Sequence, residues 1–206
     1  MTQAPERIVD LYWDTGSTNT YFALKLIEPI LNRTGARLVL HPFNLGHVFR
    51  AHQYVLMDEP PAKFTNRIRD LERWALKYDL PFRMPDTFPI KTSRALRGSI
   101  AMRHWNLERD YVEAVMTAYW ERNDASIAEY SGLRRIAAEL GVDPAAFEAR
   151  SESEEVRQAL IDSTNAGLGR GVFGVPMMAV GDELFWGKDR MDFVEDALLG
   201  AYQGAR

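Results

Sequence analysis

Ser17 is the residue whose type and setting most suggest chemistry in this chain. It ends Thr15-Gly16-Ser17, which breaks a β-branched and aromatic run (Ile8, Val9, Leu11, Tyr12, Trp13) just before apolar residues begin to recur at helical spacing. A strand, a tight turn and a helix start, in that order, aim the free N–H groups of a helix N-terminus at whatever anion sits above the serine. A thiolate is one such anion. The chain has no cysteine, so it cannot run thiol–disulfide exchange with its own sulfur. Two other readings of the serine compete. Most serines at strand-to-helix turns simply cap the helix. A serine hydrolase would need the second glycine of the G-x-S-x-G elbow, which Thr15-Gly16-Ser17-Thr18-Asn19 lacks.

The surrounding elements must position that turn. Tyr21, Phe22, Leu24, Ile27, Ile30 and Leu31 give the following helix an apolar face, and Arg33-Thr34-Gly35 closes it. Residues 36–42 then read as a second strand, with a crossover that fits parallel pairing. From 44 to about 169 the pattern is helical only, with helices expected over 61–78, 92–105, 108–122 and 127–140. Asp143-Pro144 opens a short further helix, and one over 152–168 follows with Val156, Leu160, Ile161 and Leu168 inward. Gly181-Asp182 between the runs 177–180 and 183–186 predicts a hairpin, and a helix over 189–202 closes the chain. The expected organisation is an α/β domain over 1–45 and 170–206, interrupted by an all-helical insertion over 46–169.

Composition narrows the class. A length of 206 residues suits one core with an insertion, and a formal charge of −4 with no long Lys/Arg block leaves no electrostatic footprint for nucleic acid. No apolar run approaches a membrane span and the start, M-T-Q-A-P-E-R, has no signal pattern, so a cytoplasmic protein with no membrane partner is expected. His41, His47 and His52 match no zinc pattern, so structural or surface roles and no metal are expected. Gly169-Arg170-Gly171-Val172-Phe173-Gly174 is formally a dinucleotide fingerprint, but it follows a helix and runs into proline and a strand. Its glycines are expected to shape the loop before Pro176.

Three stretches carry a family resemblance: D-L-Y-W-D-T-G-S-T-N-T-Y-F-A (10–23); P-P-A-K-F-T-N-R-I-R-D-L-E-R-W-A (60–75) with F-P-I-K-T-S-R-A-L-R (88–97); and G-V-F-G-V-P-M-M-A-V-G-D-E-L-F-W-G-K-D-R-M-D-F (171–193). Together they resemble the 2-hydroxychromene-2-carboxylate isomerases and kappa-class glutathione transferases, the serine-bearing branch of the DsbA-like thioredoxin superfamily. The resemblance implies a thioredoxin-like fold of the DsbA/kappa type, with glutathione lending the sulfur. Ser17 is then the catalytic group, donating its hydroxyl hydrogen to that sulfur. Val175-Pro176 is implied to be cis, its extended backbone pairing with the tripeptide like an added strand. Asp189 is implied to accept from the γ-glutamyl ammonium, and Lys188 to pair with the adjacent carboxylate.

Lys63 is implied as a further glutathione contact, and Gln53 as a substitute for the asparagine of the T-G-N segment that relatives have and residues 50–59 lack. His47 and Lys91 are the substrate-side candidates, Lys91 standing where relatives have asparagine; by default Lys63 and Lys91 read as solvated charges. Thr18 replaces a proline common in the family. The implied activity is isomerisation of an aromatic-degradation intermediate by reversible thiolate addition, bond rotation and elimination, in a homodimer. A kappa-like transferase would keep the thiolate and release a conjugate. A non-catalytic peptide-binding module of the same fold would have no need of Gly187-Lys188-Asp189-Arg190.

Overall fold

The computed structural model describes residues 6–51, 53 and 59–202. The chain divides into two compact units, one made of the residues up to Phe43 with those from Ser163 onward, the other of Asn44–Asp162. Strand β1 (Ile8–Trp13) is the centre of the first unit, with Val9, Leu11 and Trp13 fully buried. Helix α1 (Thr18–Thr34) follows and stops at Gly35, whose φ of +66° needs no Cβ penalty. Its inward residues include Tyr21, Phe22, Ala23 and Ile27, while Leu24 is half-buried on the flank. Pro29 is tolerated inside α1 on its exposed side. Strand β2 (Arg37–Pro42) lies parallel to β1, Leu11 opposite Leu40, as a helical crossover requires.

The helical unit begins with α2 (Leu45–Ala51), which is too short to show a period in the sequence. Its signal was Asn44, whose Oδ1 accepts from the His47 N–H at 3.1 Å. Then come α3 (Pro61–Lys77), α4 (Ser93–Met102), α5 (Glu108–Trp120), α6 (Tyr130–Glu139) and α7 (Pro144–Ser151). Asp143 caps α7 as its sequence suggests, Oδ1 accepting from the Ala146 N–H at 2.8 Å. The single helix expected over 127–140 is instead a 3-10 turn, Ala125–Ala128, followed by α6. Glu129 between them is extended (φ −122°, ψ 157°) and interrupts the helical bonds. In α8 (Glu154–Gly169) Val156 and Leu160 are buried, but Ile161 is 51% exposed and Leu168 half-buried. Steps of four and three from Leu160 reach Thr164 and Gly167, which take the inward positions expected of Ile161 and Leu168.

The last turns of α8, from Ser163, return to the first unit. There Val172 N–H reaches Gly167 O at 2.9 Å and Gly171 N–H reaches Leu168 O at 3.0 Å, with Gly171 at φ +93°. The glycine-rich stretch is thus a helix stop. Strands β3 (Met177–Val180) and β4 (Glu183–Trp186) form the expected hairpin, opened by Gly181 at φ +59°. β3 runs antiparallel to β1, giving the sheet order β2-β1-β3-β4. Helix α9 (Met191–Leu198) is shorter than the expected 189–202. Arg190 is non-helical at its start (φ −109°, ψ 15°), and Gly200 at φ +92° stops it, with Ala201 N–H on Asp196 O at 2.9 Å. Among the described residues, no helix is long and apolar enough to cross a membrane.

Candidate functional site

β1 delivers the chain into a turn closed by its own polar groups. Ser17 N–H donates to the Asp14 carbonyl at 3.1 Å, and Gly16 N–H to Asp14 Oδ1 at 2.9 Å, with Asp14 only 2% exposed. Ser17 keeps a strand backbone (φ −98°, ψ 115°) while its Oγ accepts from the Thr20 N–H at 3.3 Å, so it is the N-cap of α1. The same hydroxyl donates to the carbonyl of Val175 at 3.2 Å. Capping therefore uses a lone pair and leaves the hydrogen to be aimed across the turn. The Val175–Pro176 bond is cis, and both residues are buried.

The loop after β4 extends this set. Gly187 N–H donates to the Pro176 carbonyl at 3.0 Å. With Gly187 at φ +108°, Lys188 turns inward: it is 8% exposed, its Nζ donates to Asn19 Oδ1 at 3.0 Å, and it lies 5.8 Å from the centre of the Phe22 ring. Asp189 faces outward, its Oδ2 accepting from Arg190 Nη1 at 2.6 Å and its Oδ1 lying where a Cβ on Gly187 would be 2.6 Å away. Ser17, Val175, Pro176 and Lys188 are thus brought together, with Asp189 next along the chain.

The remaining candidates lie on separate elements of the helical unit. His47 is exposed on α2, and Gln53 is exposed at φ +53°. Lys63 is exposed in the first turn of α3, paired with Glu59 at 3.7 Å, while Arg67 reaches the same carboxylate at 2.7 Å. Lys91 is exposed before α4. His52 and most of the 50–59 segment lie outside the described residues. His41 has a structural setting, 2.8 Å from Asp10 Oδ1 and stacked on Tyr12. Burial pulls the Asp10 carboxyl upward, but hydrogen bonds from Arg170 and His41 outweigh it and hold the group below the usual carboxylate range.

Sequence reasoning missed Asn19, whose partner lies 169 residues away. It also missed an exposed aromatic pair beside the site. Phe173 and Trp186, 61% and 54% exposed with ring centres 5.2 Å apart, flank Val175-Pro176 and Gly187-Lys188 in sequence. Arg170, read only as part of a glycine decoy, donates to Asp10 Oδ2 at 2.8 Å and ties the end of α8 to β1.

This fold and turn have known relatives. The sequence pattern of the DSBA-like thioredoxin domain matches residues 8–199, and the chain belongs to that family. Within it, the chain is 31% identical to a 2-hydroxychromene-2-carboxylate isomerase of Sphingobium xenophagum, over 94% of this chain and 98% of the relative. A solved 2-hydroxychromene-2-carboxylate isomerase structure superposes with a TM-score of 0.82 at 29% identity, covering 96% of this chain and 98% of the other. Glutathione S-transferase kappa 2 of Caenorhabditis elegans is 25% identical, over 96% of this chain and 94% of its own.

Proposed function

We propose that the chain is a glutathione-dependent isomerase of the 2-hydroxychromene-2-carboxylate isomerase type, acting on an intermediate of aromatic degradation. The observation that carries the reading is the Ser17 hydroxyl, held at the N-terminus of α1 and aimed at the Val175 carbonyl, in a chain without cysteine. A nucleophilic sulfur at this turn has to be borrowed.

The polar groups present suit a thiol tripeptide. Trp13 Nε1 and Thr20 Oγ1, buried on either side of the turn in sequence, meet no hydrogen-bond partner among the described residues. Val175 presents backbone for strand-like pairing, Lys188 a cation, and Asp189 an exposed carboxylate for an ammonium. Lys63 and Gln53, implied by the resemblance as further glutathione contacts, and His47 and Lys91, assigned to the electrophile, all belong to the helical unit. Glutathione supplies, when bound, a thiolate for reversible addition to an enone-like carbon, so that a carbon–carbon bond can rotate before elimination.

The chain's own task is to keep that sulfur ionised. An ordinary thiol ionises near pH 8.5, and moving it down by about two pH units takes about 2.7 kcal/mol. One charge-assisted hydrogen bond from Ser17 plus the terminus of α1 is of that size. The hydroxyl now on Val175 has only to rotate about its own bonds to serve a sulfur instead.

The test is turnover of 2-hydroxychromene-2-carboxylate with glutathione, followed by ultraviolet absorbance. Wild type should isomerise it without consuming glutathione, and Ser17→Ala should keep its fold and lose most of the rate. Unchanged turnover in Ser17→Ala would sink the assigned role. Steady loss of glutathione into a conjugate would favour the kappa-like transferase instead, a reading the kappa relative keeps open.

A further inference from the structure

Buried hydroxyls on the helices of this chain have a usual partner. Thr34, Ser99 and Ser151 each turn back along their own helix and donate to the carbonyl three or four residues earlier, at 2.7, 2.9 and 2.8 Å. Thr20 does not. It is fully buried in the first turn of α1, and among the described residues its Oγ1 meets no hydrogen-bond partner. The carbonyl three residues back, that of Ser17, already accepts from the Thr20 and Tyr21 N–H groups at 3.1 and 3.3 Å. A buried hydroxyl without a partner is destabilising, and valine would fill the same space without that penalty.

The position of Thr20 says what its hydroxyl can reach. Side chains of an α-helix lean toward its N-terminus, which carries Thr20 toward Ser17. The two residues already touch, since the Thr20 N–H donates to Ser17 Oγ at 3.3 Å and the Thr20 hydroxyl hangs from the adjacent Cα by one rotatable bond. A serine oxygen has two lone pairs and one hydrogen. In Ser17 the hydrogen is on the Val175 carbonyl and one lone pair takes the Thr20 N–H. One lone pair is left, beside a hydroxyl that has no acceptor.

We propose that Thr20 is the positioning residue of Ser17: once the Ser17 hydroxyl turns from Val175 to a bound anion, the Thr20 hydroxyl donates to Ser17 Oγ and strengthens that donation. A hydroxyl whose oxygen accepts a hydrogen bond is itself a stronger donor, and the effect is greatest where water is excluded. Thr20 Oγ1–H then serves Ser17 Oγ, and Ser17 Oγ–H serves the anion. Both hydrogens stay on their oxygens, and a thiol held at the turn loses its own proton to solvent. That the anion is the sulfur of glutathione rests on the isomerase reading; donation from Thr20 to the γ atom of residue 17 does not.

The absence of cysteine makes a direct test available. Ser17→Cys puts a single thiol at the γ position of residue 17, and its ionisation is followed by thiolate absorbance and by alkylation rate against pH, with no glutathione present. Adding Thr20→Val, which keeps the shape and removes the hydroxyl, should raise the ionisation of that thiol by about one pH unit, about a tenfold loss of thiolate at a pH below it. Thr20→Ser in its place should keep most of the thiolate. With Ser17 present, Thr20→Val should slow glutathione-dependent isomerisation about threefold. Its denaturant midpoint should hold or rise, because the hydroxyl removed has no partner to lose. If Thr20→Val does not fold, Thr20→Ala and Thr20→Ser decide, since both lack the methyl group and only the first lacks the hydroxyl. A thiol indifferent to loss of the hydroxyl overturns the proposal, as does a loss of thiolate that Thr20→Ser shares and a fallen midpoint accompanies. A thiol that responds in a protein that fails to bind glutathione upholds Thr20 and rejects the glutathione reading. Glutathione binding with an unresponsive thiol does the reverse.

Discussion

Glu152 in the helical unit accepts hydrogen bonds from Arg97, Tyr130 and Arg157, so its carboxylate is engaged on both oxygens within that unit, although Arg97 Nε meets no partner among the described residues. At the Ser17 turn, Trp13 Nε1 and Thr20 Oγ1 are buried more deeply, yet among the described residues they meet no hydrogen-bond partner. The engaged carboxylate shows its partners in its protonation. Burial alone would raise the Glu152 carboxyl, but the Tyr130 hydroxyl and the charges of Arg97 and Arg157 hold it below the usual range. Tyr130, by burial first and by Glu152 next, is pushed up to about 12. The difference separates polar groups that hold elements in place from polar groups left available to a ligand.

Glycines in the two units give the largest effect by which to break that comparison. A Cβ on Gly132 in α6 would lie 2.5 Å from the Ser126 backbone, which cannot give way, and Gly132→Ala should cost about 3 kcal/mol by denaturant midpoint. Gly174→Ala beside the site meets only the exposed Trp186 ring, at 3.1 Å, and should cost about 0.5 kcal/mol. Equal costs would show that the loop before Pro176 is packed as tightly as the helical core.

The acid response of the Glu152 network comes next. Glu152→Gln should cost about 1.5 kcal/mol at neutral pH, a value reduced because the Glu152 side chain is 29% exposed. Its folded pKa is depressed, so the stabilisation is complete above the unfolded value and lost as pH falls through the folded one. The gap between wild type and variant should therefore close below about pH 4. A gap that stays constant from pH 7 to pH 3 would rule out the carboxylate as its source.

The smallest effect separates the two uses of Ser17. Ser17→Ala should lose about 1 kcal/mol as the cap is removed, and Ser17→Asn only a few tenths, since asparagine caps as well as serine. Both should lose most isomerisation. Activity that follows cap strength would leave Ser17 a structural residue.

Much of the first unit was legible because its signals are local. The β-branched run before Thr15, the cap and stop of α1 at Ser17 and Gly35, and the hairpin at Gly181 each depend on a few neighbouring residues. The same locality explains the misses: α2 is only 7 residues long, and no neighbouring residue announces that Glu129 turns extended. Ser17 itself was visible as a turn serine, and the resemblance of residues 171–193 supplied Val175 and Pro176 as a cis bond beside a backbone set for strand-like pairing.

The sequence by itself determined where the strands, turns and caps fall, and that any reactive sulfur must come from elsewhere, because backbone preference and residue inventory are carried along the chain. Only the tertiary structure decided that the Ser17 hydroxyl meets the Val175 carbonyl and that Lys188 lies on Asn19. Those contacts join residues more than 150 positions apart. They depend on β3 pairing antiparallel with β1 and on the turn at Gly187, whose outcome is set by the packing of the whole unit.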